Sequence, residues 1–229
     1  MSEIEQLLER WRASRCQNIS LAGLFTRNPI AYKWKAPHRS LLLRESVFWR
    51  THDLLTQAHF LFTQNHILGS RILLRSALET VAILIYLNQM TEQVLSGQLN
   101  FHDFSDKTSQ LLLGSRNKTT KQETLNIVGI LQKCDKKYSK ISNIYADLCE
   151  CAHPNHEGLS FGYSRVDFEN DETNFGNYWY EMWGDRHESL VNIIGVIVEY
   201  EYNDVWVPQI KKFENWLTEH DVTLEETKG

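Results

Sequence analysis

Arg71-Ile-Leu-Leu-Arg75-Ser-Ala-Leu-Glu79 places two guanidinium groups and a carboxylate at i, i+4 and i+8 of an otherwise apolar run. On a helix the three share one stripe. An unpaired charge buried in such a run costs several kcal/mol, so each must meet another charge, a cavity or a ligand. Two uses fit. Arg75 and Glu79 form an ion pair that fixes the surrounding helices, or Arg75 holds a phosphate bidentately while Glu79 orients it, with Arg71 as a further ligand contact.

A second constellation is Tyr145-Ala-Asp-Leu-Cys149-Glu-Cys151-Ala-His153-Pro-Asn155-His156, which reads as a helix end stopped by proline. His153 falls one turn beyond Cys149, at the point where the chain turns outward. An imidazole there suits proton transfer near neutral pH, and it equally suits capping the carboxyl end of its own helix. Tyr145, Asn155 and His156 are candidate polar contacts to a ligand. Cys149, Cys151, His153 and His156 include a zinc-like donor set, but ligands at every second residue cannot converge from one helix, and no distant ligand pair accompanies them. His52, His59 and His66 repeat every seven residues, each step climbing roughly 10 Å of helix, too far for one metal ion. No metal and no cofactor is therefore expected. The chain also lacks a Walker loop, a nucleophile elbow, a dinucleotide fingerprint and a His-Glu-x-x-His zinc helix.

The elements that must carry these residues are helical. The four prolines stand at positions 29, 37, 154 and 208, leaving a long proline-free stretch between the second and third. Ile4, Leu7, Leu8 and Trp11 form one apolar stripe of an N-terminal helix, for which Ser2 is a natural cap. Residues 23–38, with two prolines and three aromatics, read as an irregular connection. Helical periodicity then predicts one helix over 39–64 and a second, apolar almost all round, over 67–88, together a central antiparallel hairpin. Residues 91–121 read as a looser connection. Two further helices are expected over 123–133 and 138–152.

From 158 to 184 the pattern changes, and a small β-hairpin or irregular excursion is expected there, rich in acidic residues and in aromatics that suit packing on the core first, and otherwise a lid or a protein-binding surface. Helices return over 185–206 and from Pro208 to His220. The fold class is therefore all-α: a single helical-bundle domain over 1–229, with an N-terminal helix and connection (1–38), a bundle core (39–157), the excursion (158–184), C-terminal helices (185–221) and a tail (222–229).

Composition supports that outline and bounds the function. The chain has 229 residues, 42% hydrophobic and 23% charged, enough for a sizeable core. A net charge of -5 argues against a dedicated nucleic-acid coat. The charge is uneven: residues 1–143 carry 19 basic and 11 acidic side chains, residues 144–229 carry 5 and 18. That asymmetry suits an acidic partner on one face or self-pairing in a homodimer. The longest apolar run, 81–87, is far short of a membrane span, the first residues read as acidic and amphipathic instead of basic then apolar, so no leader is expected, and the four cysteines show no disulfide framework. A cytoplasmic protein with reduced thiols, making no membrane contact, is expected.

Leu74-Arg75-Ser76-Ala77-Leu78-Glu79 on a central helix, together with Tyr145 through His153-Pro154-Asn155 at the end of a later one, resembles a bacterial helical family of the HEPN group. The likeness spans roughly residues 52–155. HEPN domains are compact helical bundles, often dimeric, and many are metal-independent ribonucleases of toxin–antitoxin and phage-defence systems. Their active members carry an Arg followed four to six residues later by a His, and this chain departs from that pattern, since Arg44 precedes His52 by eight. The resemblance therefore implies an RNA or nucleotide partner, with a catalytic site only if Arg75, Glu79 and His153 converge in space. Arg75 would then stabilise the phosphate, Glu79 would orient it and His153 would move the proton. The other reading is a non-catalytic bundle that binds a partner protein or a small ligand.

Overall fold

Ser2 opens the first helix, α1 (Glu3–Ser14), with a reciprocal capping box: its hydroxyl accepts the Glu5 amide, and the Glu5 carboxylate accepts the Ser2 amide. Ile4, Leu8 and Trp11 are buried along one face. The computed structural model describes residues 1–228. The segment that reads as an irregular connection is instead largely helical, folding as α2 (Leu21–Arg27) and α3 (Pro29–Lys33). Asn28 accounts for the difference, because its side chain accepts the Ala31 amide and Pro29 takes the first helical position, where no donor is needed.

The central hairpin is formed by α4 (Lys35–Thr63) and α5 (Ile67–Leu95), packed along their length. Its turn is a Schellman motif: Asn65 adopts a left-handed φ of 60°, His66 N–H donates to the Leu61 carbonyl at 2.8 Å and Asn65 N–H to Phe62 at 2.9 Å. Gly97, at φ 73°, ends α5 the same way, seven residues beyond the stop that sequence periodicity predicts. Fully buried Leu74, Leu78, Val81 and Ile85 make α5 the middle of the core.

The looser connection predicted over 91–121 holds a further helix, α6 (Phe101–Leu113). Asn100 caps it, and its buried stripe of Phe101, Phe104 and Thr108 escapes a purely apolar count because one member is polar. α7 (Ile127–Cys134) and α8 (Ile141–Ala152) follow, both against α5. A π-helical turn over His156–Phe161 leads into the hairpin β1 (Ser164–Asp167) and β2 (Glu172–Phe175), antiparallel with Ser164 opposite Phe175. The chain returns through α9 (Trp179–Trp183) and α10 (His187–Glu199). A second π-helical turn, Tyr200–Val205, joins α10 to α11 (Trp206–Glu226), so most of the expected C-terminal tail is helical. The result is the all-α bundle with a small β-hairpin that the sequence predicts. Among the described residues no helix is long and apolar enough to cross a membrane.

His187 shows how tightly α10 is seated. Its ring stacks on Phe62 at 4.0 Å, and its nitrogens face Ser70 Oγ at 3.1 Å and His59 Nδ1 at 3.4 Å. Burial, helped by the neighbouring His59, pushes its pKa down from 6.5 to about 4. Below pH 6.5 the unfolded chain takes up a proton that the folded chain refuses until about pH 4, so stability falls as pH drops through that window. Urea midpoints measured from pH 7 to pH 4 should decline less steeply for His187→Gln than for the unsubstituted protein. Parallel curves would show that His187 takes no part in the decline.

Candidate functional site

α8 runs antiparallel to α5, and this crossing decides which of the candidate residues meet. Arg71 faces Cys151, while Arg75 and Glu79 face Tyr145. Arg75 Nη2 donates to the Tyr145 hydroxyl at 3.1 Å, that hydroxyl donates to Glu79 Oε1 at 2.9 Å, and Arg75 Nε lies 3.3 Å from the same oxygen. Three of the sequence candidates thus form one closed polar link between the two helices. The hydrogen bond to the Tyr145 hydroxyl raises the Arg75 pKa above its ordinary value. Tyr145 itself is pushed up to about 12, mainly by burial. At neutral pH it is a hydrogen-bonding phenol, not a base.

Arg71 is buried, 4% exposed, and meets no carboxylate within 4 Å among the described residues. Its Nε donates to Cys151 Sγ at 2.9 Å, and its guanidinium lies 4.0 Å from the Trp183 ring centre. Burial raises the Cys151 pKa, with Arg71 working against it, so the thiol keeps its proton. Trp183 and the fully buried Trp179 come from the acidic aromatic segment, which therefore lids the end of the α5–α8 groove. Gly162 lies so close beneath Trp179 that a Cβ there would stand 2.6 Å from the ring.

His153 does not join this group. It is the C-cap residue of α8, exposed, with its amide bonded to the Cys149 carbonyl at 3.2 Å, and among the described residues its imidazole makes no hydrogen bond. Because the helices are antiparallel, each residue beyond Cys149 moves away from Arg75 and toward the Ile67 end of α5. Asn155 caps the following π-helical turn by accepting the Gly158 amide at 3.0 Å, and donates to Glu150. His156 stacks on Phe161, centroids 5.7 Å apart. Among the described residues no cluster of three or more His, Cys, Asp or Glu is placed to hold a metal ion.

Past the Tyr145 link the surface opens into a cleft of about 230 Å³ whose polar lining includes Arg50 of α4, Glu79 and Thr80 of α5 and Arg116 from the loop after α6. Arg50 Nε donates to Thr80 Oγ1 at 3.1 Å, and Arg116 is exposed. No protein-family model, curated protein or solved structure matches this chain.

Sequence reasoning passes over Arg50 and Arg116 because neither breaks an apolar run. It also passes over Asn88, which does interrupt one, and over the lysine cluster Lys133, Lys136 and Lys137. The test that singles out Arg71, Arg75 and Glu79, a polar residue inside a core helix, applies equally to Asn88.

Proposed function

We propose that this chain is a HEPN-like helical bundle that binds RNA or a nucleotide through the arginine-lined cleft and does not cleave it. What carries the reading is the commitment of Arg75: its polar partners are Glu79 and Tyr145, and no imidazole accompanies them. Arg75 is spent on that pair, so a phosphodiester in the neighbouring cleft would find no imidazole among the lining residues to act as a general base. Arg50 and Arg116, both exposed, add two guanidiniums that suit phosphate oxygens. The setting the resemblance implies is bacterial stress or phage defence, in the cytoplasm, with the bundle acting as a homodimer.

The test uses a mixed RNA pool in excess EDTA. Fluorescence anisotropy should report binding that weakens by about tenfold in the Arg50→Ala, Arg116→Ala double variant and falls as salt rises. No cleavage products should accumulate. Cleavage that disappears in folded Arg75→Ala and His153→Ala variants would replace this reading with a metal-independent nuclease.

A further inference from the structure

At the far end of α5 lies a larger cavity, about 650 Å³, unrelated to the arginine cleft. Asn88 on its wall stands eight positions beyond Thr80 of the cleft, about 12 Å along the helix. Lys107 of α6, Lys133 of α7, and Lys136 and Lys137 just after it all line the cavity, facing Glu92 as the only carboxylate among the described lining residues. Lys137 is neutralised by Glu201 at 2.7 Å, and Lys133 donates to the Tyr86 hydroxyl at 3.2 Å. Lys107, half-buried, and Lys136 pair with no carboxylate among the described residues. The cavity therefore carries excess positive charge in a partly desolvated recess, where Coulomb attraction for an anion is stronger than on an open surface.

Two amides add the second requirement. Asn88, 2% exposed, donates Nδ2 to the Glu201 carbonyl and carboxylate at 3.1 and 2.7 Å. Gln209, 9% exposed, donates Nε2 to Glu92 at 3.1 Å. Both orientations are set by the carboxylates, since a flipped amide would turn its oxygen onto a negative charge. Asn88 Oδ1 and Gln209 Oε1 are consequently buried acceptors with no donor. Such groups cost free energy unless a donor reaches them. The π-helical turn Tyr200–Val205 borders the same cavity and holds Glu201 against Asn88. Interruptions of this kind recur at functional sites.

We propose that this cavity binds a small phosphorylated molecule of nucleotide size, its phosphate on Lys107 and Lys136 and its amino or hydroxyl hydrogens on Asn88 Oδ1 and Gln209 Oε1. The site is separate from the arginine cleft and stands without it. Isothermal titration calorimetry of the full chain with the four ribonucleoside 5′-monophosphates, ribose 5-phosphate and inorganic phosphate tests the assignment. At least one organic phosphate should bind about tenfold tighter than inorganic phosphate, because only the organic ligands carry hydroxyl or amino hydrogens that can reach the two amides while the phosphate rests on the lysines. Lys107→Gln and Lys136→Gln, both at solvent-reachable positions, should each weaken that binding by about tenfold while leaving RNA binding at the cleft intact. Conversely, Arg50→Ala with Arg116→Ala should leave it unchanged. Absence of binding by the whole panel, inorganic phosphate binding as tightly as the rest, or indifference to both lysine substitutions would each overturn the proposal.

Discussion

Glu201→Ala is expected to destabilise the protein by about 3–5 kcal/mol, read from urea denaturation at neutral pH. Glu201 is fully buried and is the acceptor for three donors: Asn88 of α5 donates to it at 2.7 Å, and from the connection between α7 and α8 the Tyr138 hydroxyl donates at 2.7 Å and Lys137 pairs with it at 2.7 Å. Alanine would strand an amide, a phenol and an ammonium around a void. The loss should exceed that of an ordinary ion pair because most of these groups have no water to fall back on. Tyr138, whose pKa is driven up by burial and by the facing carboxylate, would be left with a buried hydroxyl and no acceptor. Glu201→Gln, which keeps the shape and one acceptor, should cost less than the alanine change. A loss below about 1 kcal/mol for Glu201→Ala would mean that the three donors find other partners.

Phe213→Ala is expected to cost a similar amount, about 3–5 kcal/mol, for a different reason. Phe213 is fully buried where α11 closes over α6, its ring 5.2 Å from Phe104 in an edge-to-face contact and 6.2 Å from Phe101. Removing the ring opens a void and deletes the aromatic contacts that hold the last helix down. Phe213→Leu, closer in volume, should cost under about 1.5 kcal/mol. Equal losses for the two substitutions would show that volume is not what the site measures.

The helices are legible because their apolar positions recur at helical spacing over long stretches, and α4 and α5 satisfy that test almost without interruption. α6 is not legible, because Thr108 supplies a core position and Asn100 supplies a cap, neither of which an apolar count registers. At the candidate site, the rule that a charge in an apolar helix needs a partner correctly sets Arg75 beside Glu79, four residues away on the same helix. The same rule cannot find the partner of Arg71. That partner is Cys151 with the ring of Trp183, and both arrive from elements distant in sequence. Whether Arg75 meets His153 depends on the relative direction of α5 and α8, and that direction is a tertiary fact which no local pattern encodes. The lysine cavity is hidden for the same reason, being assembled from α5, α6, the end of α7 and a π-helical turn.

That turn also lets the C-terminal helices carry an uneven spacing of buried positions. Along α10 the buried positions Val191, Ile194 and Val198 lead on to Glu201, in steps of three or four. The next buried position is Trp206, a step of five, after which Gln209, Phe213 and Leu217 resume the earlier rhythm. The extra residue in the π-helical turn absorbs that long step and keeps both halves facing the bundle. Deleting any one residue there would shorten that step to an ordinary four, and the backbone would close into a uniform helix with Phe213 and Leu217 still facing the bundle. Keeping all the residues while forcing a uniform helix would instead swing everything after the turn by about 100°. The turn thus lets the chain carry one residue more than the helical rhythm allows without turning its last helix away from the core.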